Sequence, residues 1–246
     1  MSERAIVTTK CSRHGHPEFT LSCDSSAPMV DVQALASFLE ESVGGGARYV
    51  EGEFIAVGSM LLRVTRINDT LAVEEPDLVA MPIEWTPGVT RTIRLVRLQR
   101  DITESVGLEG EIDPPSIRSS LLVGADVTRT DNDLVLARGD VCDGDTGWFI
   151  GRRDSLLTYD DQSNLTRISV YQAMLHWPIV GGLLALPAGC RVEMSSREAR
   201  ITREGRNLEI KSGSYLDTLG DEPDSAGFIA NWSGPPSDAT TRDRLR

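Results

Sequence analysis

"AIVTTKC" and "EFTLSC", over 5–11 and 18–23, have the apolar and β-branched composition of strands. Between 31 and 43 the pattern changes. Leu35, Phe38, Leu39 and Val43 fall three and four apart, which predicts a helix with one apolar face. Asp31 stands at the expected N-cap, and Gly44, Gly45 and Gly46 supply a stop. The stretch 53–77 reads as two long strands joined by a tight turn at Asn68-Asp69. "MPIEWTPGVT" reads as an irregular crossing. A second helix follows, with Leu95, Leu98, Ile102 and Val106 on its apolar stripe. Arg91, Arg94, Arg97 and Arg100 occupy its other face, the pattern of a solvated helix surface.

"EGEIDPPSIRSS" interrupts these periods with acid and the pair Pro114-Pro115, and marks a boundary. Beyond it, "SLLVGADV" and "DLVLARGDV" read as strands, "CDGDTG" as a turn and "WFIG" as a short strand. "RISVYQAMLHW" reads as a helix capped by Asn164 or Thr166 and ended by Pro178. "IVGGLLAL" is a short apolar element, and three strands close the pattern. The expected organisation is an N-terminal α/β unit over 1–110, a linker over 111–119, an α+β domain over 120–212 and a flexible tail over 213–246, in which Phe228 and Trp232 are available for docking. Strands in runs, with helices between them, indicate an α+β fold of mixed or antiparallel sheets with a few packed helices, in two units of related size.

Charge narrows the function. The formal net charge is −12, which weighs against nucleic acid and favours a basic partner. No stretch has the roughly 18 apolar residues of a membrane span, and the start of the chain does not read as a signal peptide. With Cys11, Cys23, Cys142 and Cys190 too sparse for a disulfide framework, the expected compartment is the cytoplasm, with reduced thiols.

Three clusters carry reactive side chains. Cys11, His14, His16 and Cys23 provide zinc-ligand chemistry, but all four from one short stretch, whereas structural zinc sites join two separated pairs. The same stretch offers a cysteine nucleophile with His14 as base and Glu18 as orienting group, although such partners usually converge from distant positions. Asp140, Asp143 and Asp145 alternate with glycine in a loop of calcium-binding character that lacks the later bidentate Glu. Glu74, Glu75 and Asp77 form an acidic strand end, a pattern most often solvated. No hydrolase elbow, P-loop or dinucleotide fingerprint is present. The sequence implies no cofactor and no catalytic set.

"LARGDVCDGDTGWFIG", followed by "LTRISVYQAMLHWPIVGGLLALPAGCRVEM", resembles the immunity protein thirty-three family of bacterial polymorphic-toxin systems. Arg138, Asp145, Gly147, Trp148 and Gly151 match its first block, and Leu184, Pro187 and Gly189 its second. Thr146 and Cys190 stand where the family usually has Ser, and Gly139 and Asp140 replace its Glu. The resemblance covers about 120–197. It implies a non-catalytic protein that binds and neutralises a toxin, and it brings no catalytic residues. The competing expectation is a zinc-binding or cysteine-dependent enzyme built on Cys11, His14, His16 and Cys23, or a regulatory module.

Overall fold

The computed structural model describes residues 3–221 apart from 80, 130, 132, 142–143 and 196–198, with no side chains given for 219–221. Cys142, Asp143, Phe228 and Trp232 therefore lie outside the described residues.

The fold is α+β, built on two mixed sheets. In the first, β1 (Glu3–Val7) pairs antiparallel with β2 (Phe19–Asp24), which lies parallel to β5 (Thr70–Pro76). Next come β4 (Met60–Ile67) and β3 (Phe54–Val57), while β6 (Trp85–Pro87) lies against β5. The strands read from the sequence form, with one face of each buried: Phe19, Leu21 and Cys23 in β2, and Met60, Leu62 and Val64 in β4. The hairpin at Asn68-Asp69 also forms, with Asn68 at φ 54°. Residues 53–77 hold three strands where two were expected, because Gly58, at φ 56°, turns β3 back onto β4. Helix α1 (Met29–Gly44) covers the inner face of this sheet with Val32, Leu35, Leu39 and Val43. Its N-cap is Pro28, and Asp31 sits in the first turn instead.

In the second sheet the order is β10 (Leu165–Ser169), β7 (Ser120–Gly124), β9 (Asp145–Arg152), β8 (Leu134–Arg138), β11 (Cys190–Met194), β12 (Ala199–Arg203) and β13 (Arg206–Asn207). Only β7 and β9 run parallel in it. Strand β9 begins at Asp145, earlier than its apolar core at Trp148 suggests. Neither Asn164 nor Thr166 caps the next helix. Residues 165–169 are an edge strand, and α3 (Val170–His176) starts from Ser169, whose side chain forms a reciprocal capping box with Gln172. Helix α4 (Val180–Leu183) follows. Where composition reads as tail, α5 (Tyr215–Asp221) buries Leu216 and packs Tyr215 on the core.

Helix α2 (Thr90–Ser105) serves both cores. Ile93 joins the core under the first sheet, whereas Leu95 and Ile102 join that of the second. Gln99 is buried and donates to Ser59 Oγ (2.7 Å) and to the Gly181 carbonyl (3.0 Å). The arginine face of α2 is not simply solvated. Arg91 approaches Glu75 (3.7 Å), Arg94 reaches Asp24 (3.3 Å), and Arg97 and Arg100 converge on Asp31 (3.2 and 3.4 Å). The acidic strand end is partly buried too. Glu75 accepts from the Arg91 N–H (2.9 Å), the Thr92 N–H (2.7 Å) and the Thr92 hydroxyl (2.9 Å), so it caps α2 from β5. Asp77 accepts from the Tyr171 hydroxyl (3.3 Å). The 111–119 segment is tied down as well: Ile117 is buried, its N–H donates to the Ser59 carbonyl, and its carbonyl accepts from Tyr171.

Candidate functional site

The two blocks of the sequence motif meet in space. Arg138, at the end of β8, is opposite Trp148 on β9, and its guanidinium lies 5.8 Å from the indole ring centre. From there it donates to three carbonyls: Leu186 (2.6 Å), Asp113 (2.9 Å) and Thr146 (3.3 Å). It also binds the Asp113 carboxylate at 2.8 Å. Arg138 is almost wholly buried, so burial pushes its pKa down while Asp113 opposes the shift. Trp148 Nε1 donates to the Leu184 carbonyl at 2.9 Å. The Gly189 N–H donates to the Arg138 carbonyl at 2.9 Å. Leu184, Leu186 and Gly189 thus meet Arg138 and Trp148 through their main chain.

Two glycines of the motif, Gly147 and Gly151, have a steric reason. Gly147 has φ 72°, and a Cβ there would sit 2.6 Å from the Gly139 carbonyl oxygen and 2.8 Å from that of Asp140. Asp145 accepts from the Gly147 N–H (2.9 Å) and pairs with Arg167. Thr146 replaces the usual Ser at no loss, since its hydroxyl accepts from the Trp148 N–H at 3.1 Å. Cys190 is buried, and burial pushes its thiol up.

Gly151 connects this framework to the surface. A Cβ on Gly151 would lie 2.7 Å from the ring of Tyr159, and one on Gly124 only 2.4 Å from it. The Tyr159 ring therefore fills a slot between β7 and β9, against Phe149 with ring centres 4.9 Å apart. Its hydroxyl donates to Asp126 (2.7 Å) and accepts from the Arg152 N–H (3.0 Å). Ser155 donates to the other oxygen of Asp126 (2.7 Å) and accepts from the Leu157 N–H (3.0 Å). Burial works against the Asp126 anion, but the two hydroxyls hold its carboxyl below the ordinary range. The loop from Arg153 to Ser163 is anchored at several points and projects Leu156 fully into solvent, with Leu157 38% exposed. Sequence reading found Gly151 but not its partner, because nothing local links a Tyr to a Gly eight residues before it.

The N-terminal cluster is arranged differently. His16 is buried between Phe19 and Tyr49. Its Nδ1 lies 2.7 Å from the Pro17 carbonyl and its Nε2 accepts from the Tyr49 N–H at 3.0 Å, so both ring nitrogens have backbone partners. His14 is exposed beside Gly44, at the end of α1. The Cys11 thiol donates to Thr8 at 3.5 Å, next to Phe19, and Cys23 lies four residues further along β2, about 13 Å away at the usual strand rise. Burial, foremost, raises both thiols, the reverse of what a nucleophile requires. Glu18 does not orient a histidine. It accepts from the Thr8 hydroxyl (2.6 Å) and from the Ser12 and Cys11 N–H groups (2.9 and 3.2 Å). Among the described residues no group of three or more His, Cys, Asp or Glu is placed to hold a metal ion, and no helix is long and apolar enough to cross a membrane.

The described parts define an α+β protein in which the Arg138–Trp148 cluster bonds to main-chain acceptors and the Tyr159–Asp126 cluster anchors the 153–163 loop. Residues 98–203 match the family model for the Imm33-like domain, a span that includes both blocks of the motif resemblance. No curated protein and no solved structure matches the chain.

Proposed function

We propose that this is a non-catalytic immunity protein of the cytoplasm that neutralises a bacterial toxin by direct binding. The Imm33-like match over 98–203 carries the reading. The motif chemistry supports it: Arg138, Trp148 and Gly189 direct their donors into main-chain acceptors of the fold, as a scaffold requires. We place the binding surface on the unit over 120–212, with 1–110 as a supporting unit. The net charge of −12 suits a basic toxin, since opposite fields speed association. The test is co-expression of the full chain with the products of the adjacent genes in a heterologous bacterium. One of those products is expected to arrest growth, and this chain to restore it. Growth arrest that the chain leaves untouched would sink the proposal.

A further inference from the structure

We infer that the tip of the 153–163 loop, Leu156 with Leu157, is the toxin-contacting surface, and that it inserts into an apolar pocket on a basic face of the toxin; this rests on the immunity reading above. Burying a leucine side chain is favourable, so a leucine left wholly in water forgoes a sizeable stabilisation. A slack loop would fold such a side chain back onto the protein. This loop is held outward at both ends. Tyr159 is wedged between Gly124 and Gly151, and Asp126 ties down Ser155 and Tyr159 on either side of the two leucines. Leu156 is therefore displayed by the fold, and a loop already ordered gives up little conformational freedom on binding.

The charge beside the tip specifies the partner. Asp154, Asp160 and Asp161 lie in the loop itself, all exposed. Asp133 is joined to the loop base, its carbonyl accepting from the Arg153 N–H at 3.1 Å. Asp131 is close enough to act on the Arg152 charge. The cations at this end of the loop are Arg152, the last residue of β9, which is paired with Asp154 at 3.1 Å, and Arg153. An apolar tip in an acidic surround fits a pocket rimmed by Lys or Arg. Apolar contact supplies the lifetime of such a complex and the carboxylates supply its rate of formation.

The test uses the full chain and the purified growth-arresting product of the adjacent gene, with growth rescue and surface plasmon resonance as readouts. Leu156→Asp is compared with Val30→Asp, a change at an exposed valine on α1, where an acid in the first turn is tolerated. Circular dichroism melts confirm that both variants fold. Leu156→Asp should weaken binding by about 30-fold or more and abolish rescue, with Val30→Asp leaving both unchanged. Wild-type binding together with an unaffected Leu156→Asp would overturn the surface and leave the immunity reading standing. A wild-type chain that neither binds nor rescues removes both. The double change Asp160→Asn with Asp161→Asn should slow association about tenfold at low salt, with the difference vanishing at high salt. An unchanged rate overturns the basic partner.

Discussion

Arg138 is a buried charge that ties together several parts of the second sheet and its surround. Its guanidinium answers three carbonyls, those of Leu186 and Thr146 in buried hydrogen bonds, and its charge meets the carboxylate of Asp113. Removing it strands those acceptors in the interior. Arg138→Ala is expected to cost about 3–5 kcal/mol in denaturant unfolding, and Arg138→Lys about 2, because an ammonium cannot span the fork. Glu18 gives the N-terminal sheet a different sensitivity. Burial opposes its ionisation, but donors from Thr8, Ser12 and Cys11 outweigh that and hold its carboxyl at about 2, against 4.5 in the open chain. The folded value lies below the unfolded one, so its contribution is complete above pH 4.5 and fades as pH falls towards 2. Glu18→Gln should therefore destabilise the protein by about 1–3 kcal/mol at pH 7. The gap from wild type should close when the same melts are run near pH 2.

Glu74 and Glu75 on β5 show how much an element's place in the fold changes one residue type. Glu74 pairs at the surface with Arg63, whereas Glu75 is buried against the first turn of α2. Burial pushes the Glu75 carboxyl up, against three donors and the nearby Arg91 charge, which favour the anion. Glu75→Gln should cost about 2–4 kcal/mol and Glu74→Gln at most about 1, a contrast that thermal melts resolve. The sequence pattern could not separate the two, since a cap supplied from sixteen residues upstream leaves no local signature. What was legible follows the same logic. The strand composition of β2, the periods of α1 and α2 and the hairpin at Asn68 are short-range patterns. The edge strand β10, the slot for Tyr159 and the ion pairs along the α2 arginines depend on chain brought in from far away. The Cys11–Cys23 stretch was conspicuous for its reactive side chains, but its hydrogen bonds are spent on local backbone and on packing.

At the scale of the molecule, α2 makes the two sheets one mechanical problem. It lends Ile93 to one core and Leu95 and Ile102 to the other, while Met60, a residue of the first sheet, is buried in the core of the second. Gln99 bridges Ser59 on one side and Gly181 on the other. The closest approach is at Gly182 on α4, where a Cβ would come within 2.6 Å of Leu98 and 2.7 Å of Ile102. Gly182→Val must push α4 away from α2, which should cost about 1–3 kcal/mol by overpacking. The added side chain meets α2 and not the first sheet, so any loss there must travel through α2. Native-state hydrogen exchange separates the possibilities by comparing the slowest amides of β4 with those of β8. Both sets should lose protection by the same amount, as expected when both sheets open in one cooperative event. Loss confined to β8 would mean that α2 belongs energetically to the second sheet alone, and that the first sheet keeps its own stability beside it.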